Sequence, residues 1–299
     1  MASTTHILTF DIEDWFHLLD HPETSGELQW SNFESRIVRN TALILDCLAE
    51  ARLTATFFCL GWVARTHPGV IKAIHAAGHE IGSHSDMHQL VHQLTPQLFR
   101  EDLLNSIRSL EDITGGKIRA YRSPGFSITN SSTWAWSILA ENGIQYDSSV
   151  FASHHAHGGF QNIRTDGVMQ IKLGGGASLK QFPILPARFG PFSFGFSGGG
   201  YFRLLPYPLI RLSMKRSEYA MTYFHPRDFD AHQPMIPNLP LHRVFKSYVG
   251  LRSSLKKFKQ MLRDFHMVDI ATADSMIDWS VQPCFHSAES PSDACLSIN

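Results

Sequence analysis

Cysteine is scarce in this chain, which has four cysteines in 299 residues: Cys47, Cys59, Cys284 and Cys295. Their spacing matches neither a zinc motif nor a redox motif, and so few cysteines cannot build a disulfide scaffold. We therefore expect reduced, mostly buried thiols in a cytoplasmic protein. The N-terminal segment "MASTTHILTFDIEDW" favours the same location, because it lacks a basic region and its apolar run is too short for a signal peptide.

Long apolar runs and an excess of one charge are also missing. No apolar run approaches the roughly 18 residues that a transmembrane helix needs, so we expect no stable insertion into a membrane. The formal net charge is -1, which gives the chain no general attraction for nucleic acid. Hydrophobic residues make up 43% of the sequence and charged residues 18%, which is a globular composition.

Apolar segments rich in β-formers alternate with helical patterns along the chain. The predicted helices cover 34–52, 68–78, a segment that starts at Pro96, 131–141 and the region near 249–264. The predicted strands are "HILTFDI", "TATFFCL", "HEIGSH", "GGKIRAYRSPG", "IQYDSSV", "AMTYFHP" and "FHMVDI".

This alternation predicts parallel strands joined by right-handed crossovers. We predict an α/β fold, a distorted (β/α) barrel over residues 1–280, with an open doubly wound sheet as the alternative. Residues 152–200 read as irregular, and residues 281–299 as a flexible C-terminal tail.

Five of the predicted strands run into ionisable side chains. These side chains are Asp11, Glu13 and Asp14 after the first strand, His84 and His88 after the third, and then Arg122, Asp147 and His225. Each one alone is explained equally well as a helix cap, an ion pair or a solvated turn residue. Both candidate folds place their chemistry at the carboxyl ends of the strands, so the set as a whole predicts an active site.

The pair His84 and His88 predicts a metal site. Two imidazoles and one carboxylate, with positions left for water and substrate, form a typical catalytic zinc set. A zincin protease would need glutamate directly after the first histidine, and Ser85 stands there instead. The carboxylate therefore comes from "DIED", where one acid binds the metal and another accepts a proton from water.

Five motifs in order resemble the polysaccharide deacetylases of carbohydrate esterase family four, which share the NodB-homology fold. They are "TFDIED", "HSDMH", "RSPGFS", "YDSS" and "YFHP". The segments "GGGYFRLLPY", "YFHPRDFD" and "LRSSLKKFKQMLRDF" further resemble the subgroup found beside bacterial exopolysaccharide and surface-glycan genes.

The resemblance implies a role for each motif residue. It implies a divalent metal, most often zinc, bound by His84 and His88, with Asp11 as general base and Arg122 holding that base. It implies His225 as general acid, oriented or tuned by Asp147. The third ligand is Glu13 or Asp14, because the family pattern has adjacent aspartates and Ile12 interrupts it here. Strand alternation places Glu13 on the face of Asp11, but aspartate is the ligand type of the family, and we favour Asp14.

Substrate contacts are predicted at Pro124, Tyr201 and His155. Pro124 belongs to the "RSPGFS" loop, and Tyr201 belongs to an aromatic segment that either stacks on sugar faces or packs under a loop. His155 lies in "SHHAHGG", which reads as a flexible rim loop, with contact to substrate or a second metal as the alternative.

The function implied is hydrolysis of an N-acetyl group on an amino sugar of a glycan or glycan precursor. The alternatives are another amide hydrolase, such as a deformylase on a lipid- or nucleotide-linked sugar, an O-deacetylase, and a glycan-binding relative without catalysis. The complete set of five motifs disfavours the last of these.

Overall fold

The structure of the chain is a computed structural model that describes residues 5–19, 21–152, 157–160, 165–189 and 192–287. The strands are β1 Thr5–Ile7, β2 Thr9–Ile12, β3 Thr56–Cys59, β4 Glu80–Ser83, β5 Ala120–Tyr121, β6 Tyr146–Asp147, β7 Met169–Lys172, β8 Ser178–Gln181, β9 Ala187–Phe189, β10 Phe192–Phe194, β11 Tyr219–Met221 and β12 Cys284–His286. The helices are α1 Glu27–Trp30, α2 Ile37–Ala51, α3 Gly61–Thr66, α4 Pro68–Ala76, α5 Pro96–Thr114, α6 Trp134–Glu141, α7 Gly199–Leu204, α8 Tyr207–Arg216, α9 Leu241–Tyr248, α10 Leu251–Asp264 and α11 Ile270–Met276.

One sheet of eight strands runs in the order β12-β7-β8-β6-β5-β4-β3-β2. Its central strands, β2 to β6, pair in parallel, as the alternation of strands and helices predicts. The strands β7 and β8 form an antiparallel pair beside them. The fold class, an α/β distorted barrel, is therefore as predicted.

The first strands pair with a segment late in the chain. On one side β2 pairs with β3, and on the other β1 pairs in parallel with β11. The contact with the late segment continues past β11, because the amide of Asp11 donates to the carbonyl of Phe224 at 2.8 Å. Residues 11 and 225 are far apart in sequence, but this pairing places them close together in space.

Aromatic side chains fill the space between this sheet and the outer helices. Phe10 of β2 stacks on Phe57 of β3 at 4.9 Å between ring centroids, and Phe258 of α10 meets Phe10 edge-on at 5.9 Å. Phe224 packs on Phe258 at 5.4 Å. These buried rings hold the ends of β2 and of the late strand in fixed positions.

Several predicted elements differ from the structure. The predicted strand "FHMVDI" makes a single bridge, from Val268 to Ile7, and α11 begins directly after it. The segment 152–200, read as irregular, contains β7 to β10. Within the predicted tail, β12 pairs with β7, while residues 288–299 lie outside the described residues. Among the described helices, none is long and apolar enough to cross a membrane.

Candidate active site

Asp11 is held in place by a buried arginine. Arg122, which follows β5 and is fully buried, donates from Nη1 to Asp11 Oδ1 at 2.7 Å and to Thr9 Oγ1 at 2.7 Å. Its Nη2 donates to Ser148 Oγ at 2.9 Å, and its guanidinium lies over the Phe58 ring at 4.3 Å. These contacts hold the guanidinium in one position. It therefore holds Oδ1 of Asp11 and leaves Oδ2 for other partners.

Glu13, His84 and His88 form a buried group whose ligand atoms lie within 4.8 Å of one another. Glu13 Oε2 is 2.5 Å from His88 Nε2 without the alignment of a hydrogen bond. His84 Nδ1 lies 2.8 Å from the carbonyl of Arg122, so it carries the proton and Nε2 keeps its lone pair. Burial lowers the pKa of His84 to about 4, which keeps the ring neutral.

The donor chemistry of this group fits a divalent ion such as zinc. One carboxylate and two neutral imidazoles are the ligands of many catalytic zinc sites. Burial opposes the charge of Glu13, but the imidazoles of His88, His225 and His84 hold its pKa well below the usual range. Glu13 is thus ionised, and its Oε2 has no hydrogen-bond partner within the described residues.

The loop that carries the two histidines has an unusual backbone. Ser85 and His88 adopt left-handed φ angles of 71° and 55°. Asp102 of α5 accepts from the amides of Asp86 at 2.9 Å and Met87 at 3.0 Å, which holds the loop between them. Sequence reasoning missed Asp102, because a single acid inside a helical stripe gives no sign that it supports a distant loop.

The predicted ligand set with Asp14 is not the set that the structure brings together. Asp14 points away and lies at the start of α2, where Oδ2 accepts from the amides of Arg36 at 3.0 Å and Ile37 at 3.3 Å. The Ser35 hydroxyl donates to the same oxygen at 2.5 Å. Free amides at a helix start attract a carboxylate, and Glu13 on the strand face of Asp11 takes the place beside the histidines.

His17 is a cleft residue that sequence reasoning missed. Its Nδ1 accepts from the amide of Asp14 at 3.0 Å, so the proton of the neutral ring lies on Nε2. Burial lowers its pKa to about 3, and the rings of Trp30 and Trp62 pack against it at 4.4 and 5.0 Å. Nε2 is buried without a hydrogen-bond partner among the described residues.

His225 lies beside Asp11 and Glu13. Its Nε2 is 3.8 Å from Asp11 Oδ2 and 3.6 Å from Glu13 Oε1. Its Nδ1 contacts Asp228 Oδ2 at 3.1 Å, and Arg203 Nε contacts the other oxygen of Asp228 at 2.9 Å. Burial opposes the charge on His225, but the bond to Asp228 and the nearby carboxylates outweigh it and raise its pKa to about 9.

Asp147 does not reach His225, and this prediction is corrected. Its carboxylate accepts from Trp136 Nε1 at 3.0 Å and from the Ser149 hydroxyl at 2.5 Å. Burial raises its pKa to about 6. The partner of His225 is Asp228, three residues later, where the backbone turns back on itself. The sequence "HPRDF" could have indicated this contact, because an acid three residues after the start of a turn often caps that turn.

A cleft of about 660 Å³ opens over these groups. Tyr201 of α7 lines it and is 43% exposed. Pro124 is buried, and its neighbours Gly125 and Phe126 line the cleft instead. His155 lies outside the described residues, while His157 of the same loop lines the cleft.

Comparison with known proteins relates the fold to a solved structure and part of the sequence to a family model. Residues 21–146 match the sequence model of the polysaccharide deacetylase family, and residues 148–274 match a domain of unknown function, DUF3473. A Mycobacterium smegmatis structure described as a polysaccharide deacetylase aligns with a TM-score of 0.65 at 18% identity, over 97% of this chain and 96% of that one. The fold is that of an α/β barrel of the NodB type. The chain is thus similar to polysaccharide deacetylases in sequence over residues 21–146 and in fold over nearly its whole length.

Curated relatives carry related names. A peptidoglycan-N-acetylglucosamine deacetylase of Bacillus cereus is 24% identical over 206 residues, which is 60% of this chain and 74% of the relative. A peptidoglycan deacetylase of Helicobacter pylori is 29% identical over 107 residues, which is 36% of each chain. A chitooligosaccharide deacetylase of Rhizobium leguminosarum bv. trifolii is 44% identical over 45 residues, 15% of this chain and 21% of the relative. The alignments to the Helicobacter and Rhizobium proteins thus span a minor part of those relatives.

Proposed function

We propose that this chain is a metal-dependent hydrolase that removes the N-acetyl group from an amino sugar of a glycan. The observation that carries the proposal is the meeting of Asp11, the group of Glu13, His84 and His88, and His225 in one cleft. A base, a ligand set and an acid are the parts that metal-assisted amide hydrolysis needs.

Glu13, His84 and His88 would hold the ion, most suitably zinc. When bound, it would supply Lewis acidity at the acetyl carbonyl and lower the pKa of a nearby water. The chain's own contribution is a fixed, buried ligand set whose histidine tautomer is set by the carbonyl of Arg122.

Asp11 and His225 divide the proton transfers between them. Arg122 occupies Asp11 Oδ1, so Oδ2 is the oxygen that takes the proton of the attacking water. His225, charged through its contact with Asp228, gives a proton to the departing nitrogen as the C–N bond breaks. Asp11 Oδ2 and His225 Nε2 are 3.8 Å apart. The proton that Asp11 takes from water is therefore close to His225, which has given its own proton to the amine. Acetate and a free amine result.

The names of the relatives support a glycan as substrate. Peptidoglycan and chitooligosaccharide deacetylases act on N-acetylated sugars, and the exposed Tyr201 at the cleft would offer a ring for stacking on a sugar face. The subgroup linked to exopolysaccharide genes stays a prediction. It rests on motifs in residues 198–264, within the segment that matches DUF3473.

The test is acetate release from N-acetylated chitooligosaccharides and peptidoglycan fragments by chelated protein and by protein resupplied with zinc. We expect release with the metal alone, and loss of both metal and activity in His84→Ala. His266→Ala, at an exposed site outside the cleft, is the matched control and should keep both. Acetate release by metal-free protein would contradict the metal dependence. No release from any of these substrates by zinc-loaded protein would contradict the activity.

A further inference from the structure

Arg227 is a buried cation in the cleft wall whose second arm has no partner. It lies two residues after His225, is 6% exposed, and donates from Nη1 to the carbonyl of Trp15 at 3.1 Å. Its Nη2 is buried and makes no hydrogen bond to any residue that the structure describes. A guanidinium stays charged even when buried, so an unbonded arm in the wall of an open cleft is a site for an incoming acceptor.

The nearby acids are committed to other groups. Asp228 contacts Arg203 at 2.9 Å and His225 at 3.1 Å, and Glu13 Oε2 lies against His88. Arg227 therefore has no carboxylate of its own among the described side chains, and its guanidinium lies over the ring of Tyr248 at 5.8 Å from the centroid. Burial and the charge of Arg203 both lower its pKa.

A second cation of the same wall comes from α9. Lys246 is exposed and lines the cleft, and its ammonium contacts no acid in the described part of the chain. Its main chain is fixed, because Arg203 Nη2 donates to the carbonyl of Lys246 at 2.9 Å. Arg243, one turn earlier on α9, lines the cleft as well and donates to the carbonyl of Leu19 at 2.6 Å.

Charge therefore divides the cleft into two sides. The acids Asp11 and Glu13 lie with the ligand histidines and the reacting groups, while Arg227 and Lys246 lie on the wall formed by α7, α9 and the turn after His225. A neutral glycan carries no charge to pair with two cations, whereas a phosphate or carboxylate oxyanion can accept from the unbonded Nη2 of Arg227 and pair with the charge of Lys246.

We propose that this wall, Arg227 with Lys246, binds an oxyanion substituent on the substrate, a phosphate or a carboxylate attached to the N-acetylated sugar. The inference rests on the proposed function for the identity of the sugar, and adds that the natural substrate is anionic.

Two matched pairs of probes separate the sources of the oxyanion. N-acetylglucosamine 1-phosphate is paired with the methyl α-glycoside of N-acetylglucosamine, and N-acetylmuramic acid with N-acetylglucosamine. Binding of each probe is measured by calorimetry at two salt concentrations, in zinc-supplied Asp11→Asn protein so that no turnover interferes. We expect at least one anionic probe to bind about tenfold more tightly than its neutral partner, with the difference shrinking at high salt.

Three variants in the same background locate the effect. Arg227→Gln and Lys246→Gln should each reduce the anionic preference by about tenfold, and Arg227→Lys should restore part of it, because it keeps the charge but not the fork. Lys256→Gln is the matched control, since Lys256 is an exposed lysine on α10 outside the cleft, and the preference should be unchanged. If Arg227→Gln does not fold, the exposed Lys246→Gln carries the test.

Equal binding within both pairs would overturn the inference. A preference that survives Arg227→Gln and Lys246→Gln would also overturn it, because the oxyanion would then bind elsewhere, for example at the metal. The proposed function fails separately, by the absence of acetate release in wild-type protein. The binding measurement does not depend on turnover, so its outcome tests the oxyanion site separately from the activity.

Discussion

Glu13 and Asp14 are adjacent buried acids with different tasks. Glu13 faces the two histidines, and its charge is favoured by three imidazoles. Asp14 accepts hydrogen bonds from the amides of Arg36 and Ile37 at the start of α2, and burial raises its pKa. Glu13 therefore belongs to the candidate metal site, and Asp14 stabilises the start of α2.

Glu13→Gln should abolish tight zinc binding, because an amide oxygen is a far weaker ligand than a carboxylate. Asp14→Asn should keep the metal and instead lower the free energy of unfolding by about 1 kcal/mol, the usual cost of weakening a helix cap. Metal content after dialysis and urea unfolding are the two measurements. Full zinc occupancy in Glu13→Gln, or loss of zinc in Asp14→Asn with an intact fold, would contradict the assignment.

His225 depends on Asp228 for its charge. An acid must be protonated to act, so activity is lost as pH rises through the pKa of His225, which lies at about 9. Asp228→Asn removes the charged acceptor at Nδ1 and lowers that pKa, so the alkaline limb of kcat/KM should move to lower pH by about one unit or more. An unmoved alkaline limb in Asp228→Asn would show that another group controls it.

The residues of the site were predictable to different degrees. Asp11, Arg122, His84, His88 and His225 could be found because each lies near the end of a predicted strand or just beyond it. Which of two neighbouring acids faces the site could not be read from the chain, because the answer depends on the amides that α2 presents after folding. The contacts of Asp102 depend on tertiary placement in the same way, whereas the contact of Asp228 with His225 is local.

At the scale of elements, the wall of the cleft depends on how α7, α9 and α10 meet. Arg203 of α7 donates from Nη1 to the carbonyls of Ser247 and Val249, at 2.6 and 3.3 Å. Gly250, between α9 and α10, has a φ of +71°, and a Cβ there would lie 2.1 Å from the carbonyl oxygen of Arg203. The approach of these helices therefore requires glycine at this position.

Gly250→Ala should destabilise the protein by at least about 2 kcal/mol, from the left-handed backbone and the contact with a main-chain oxygen. Gly69→Ala in the first turn of α4 is the matched control, because nothing lies within 4 Å of its added Cβ and its φ is not left-handed. It should be neutral or stabilising by up to about 1 kcal/mol. Equal unfolding midpoints in denaturant for the two variants would contradict this account of the junction.

Helices with a clear repeat of apolar residues were predicted well, whereas the short strands in the segment 152–200 were not. The helix from Pro96 was found because its apolar residues repeat on one face, and the structure confirms it as α5. The pair β7 and β8 lies in a stretch rich in Gly, Phe and His, where three glycines in a row separate two short strands. Such a stretch has no alternation long enough to indicate strands, so the pairing is decided by the sheet edge that β6 offers.

At the scale of the whole molecule, the candidate site depends on joining an early and a late segment of the chain. Asp11 belongs to β2 and His225 follows β11, yet Asp11 Oδ2 and His225 Nε2 are 3.8 Å apart. Parallel pairing of β1 with β11 and the contact of Asp11 with Phe224 produce this closeness. The proposed base and acid are therefore close enough to serve the same acyl group.

The role of His225 tests the central claim most directly, since amide hydrolysis needs a proton on the leaving nitrogen and hydrolysis of an aryl ester does not. The measurement is kcat/KM of wild type and His225→Ala on an N-acetylated chitooligosaccharide and on an aryl acetate, with zinc content checked in both proteins. We expect the variant to keep its zinc, to lose about 10²–10⁴-fold on the amide, and to lose far less on the ester. An equal loss on both substrates would contradict the account, because His225 would then not be the acid that releases the amine.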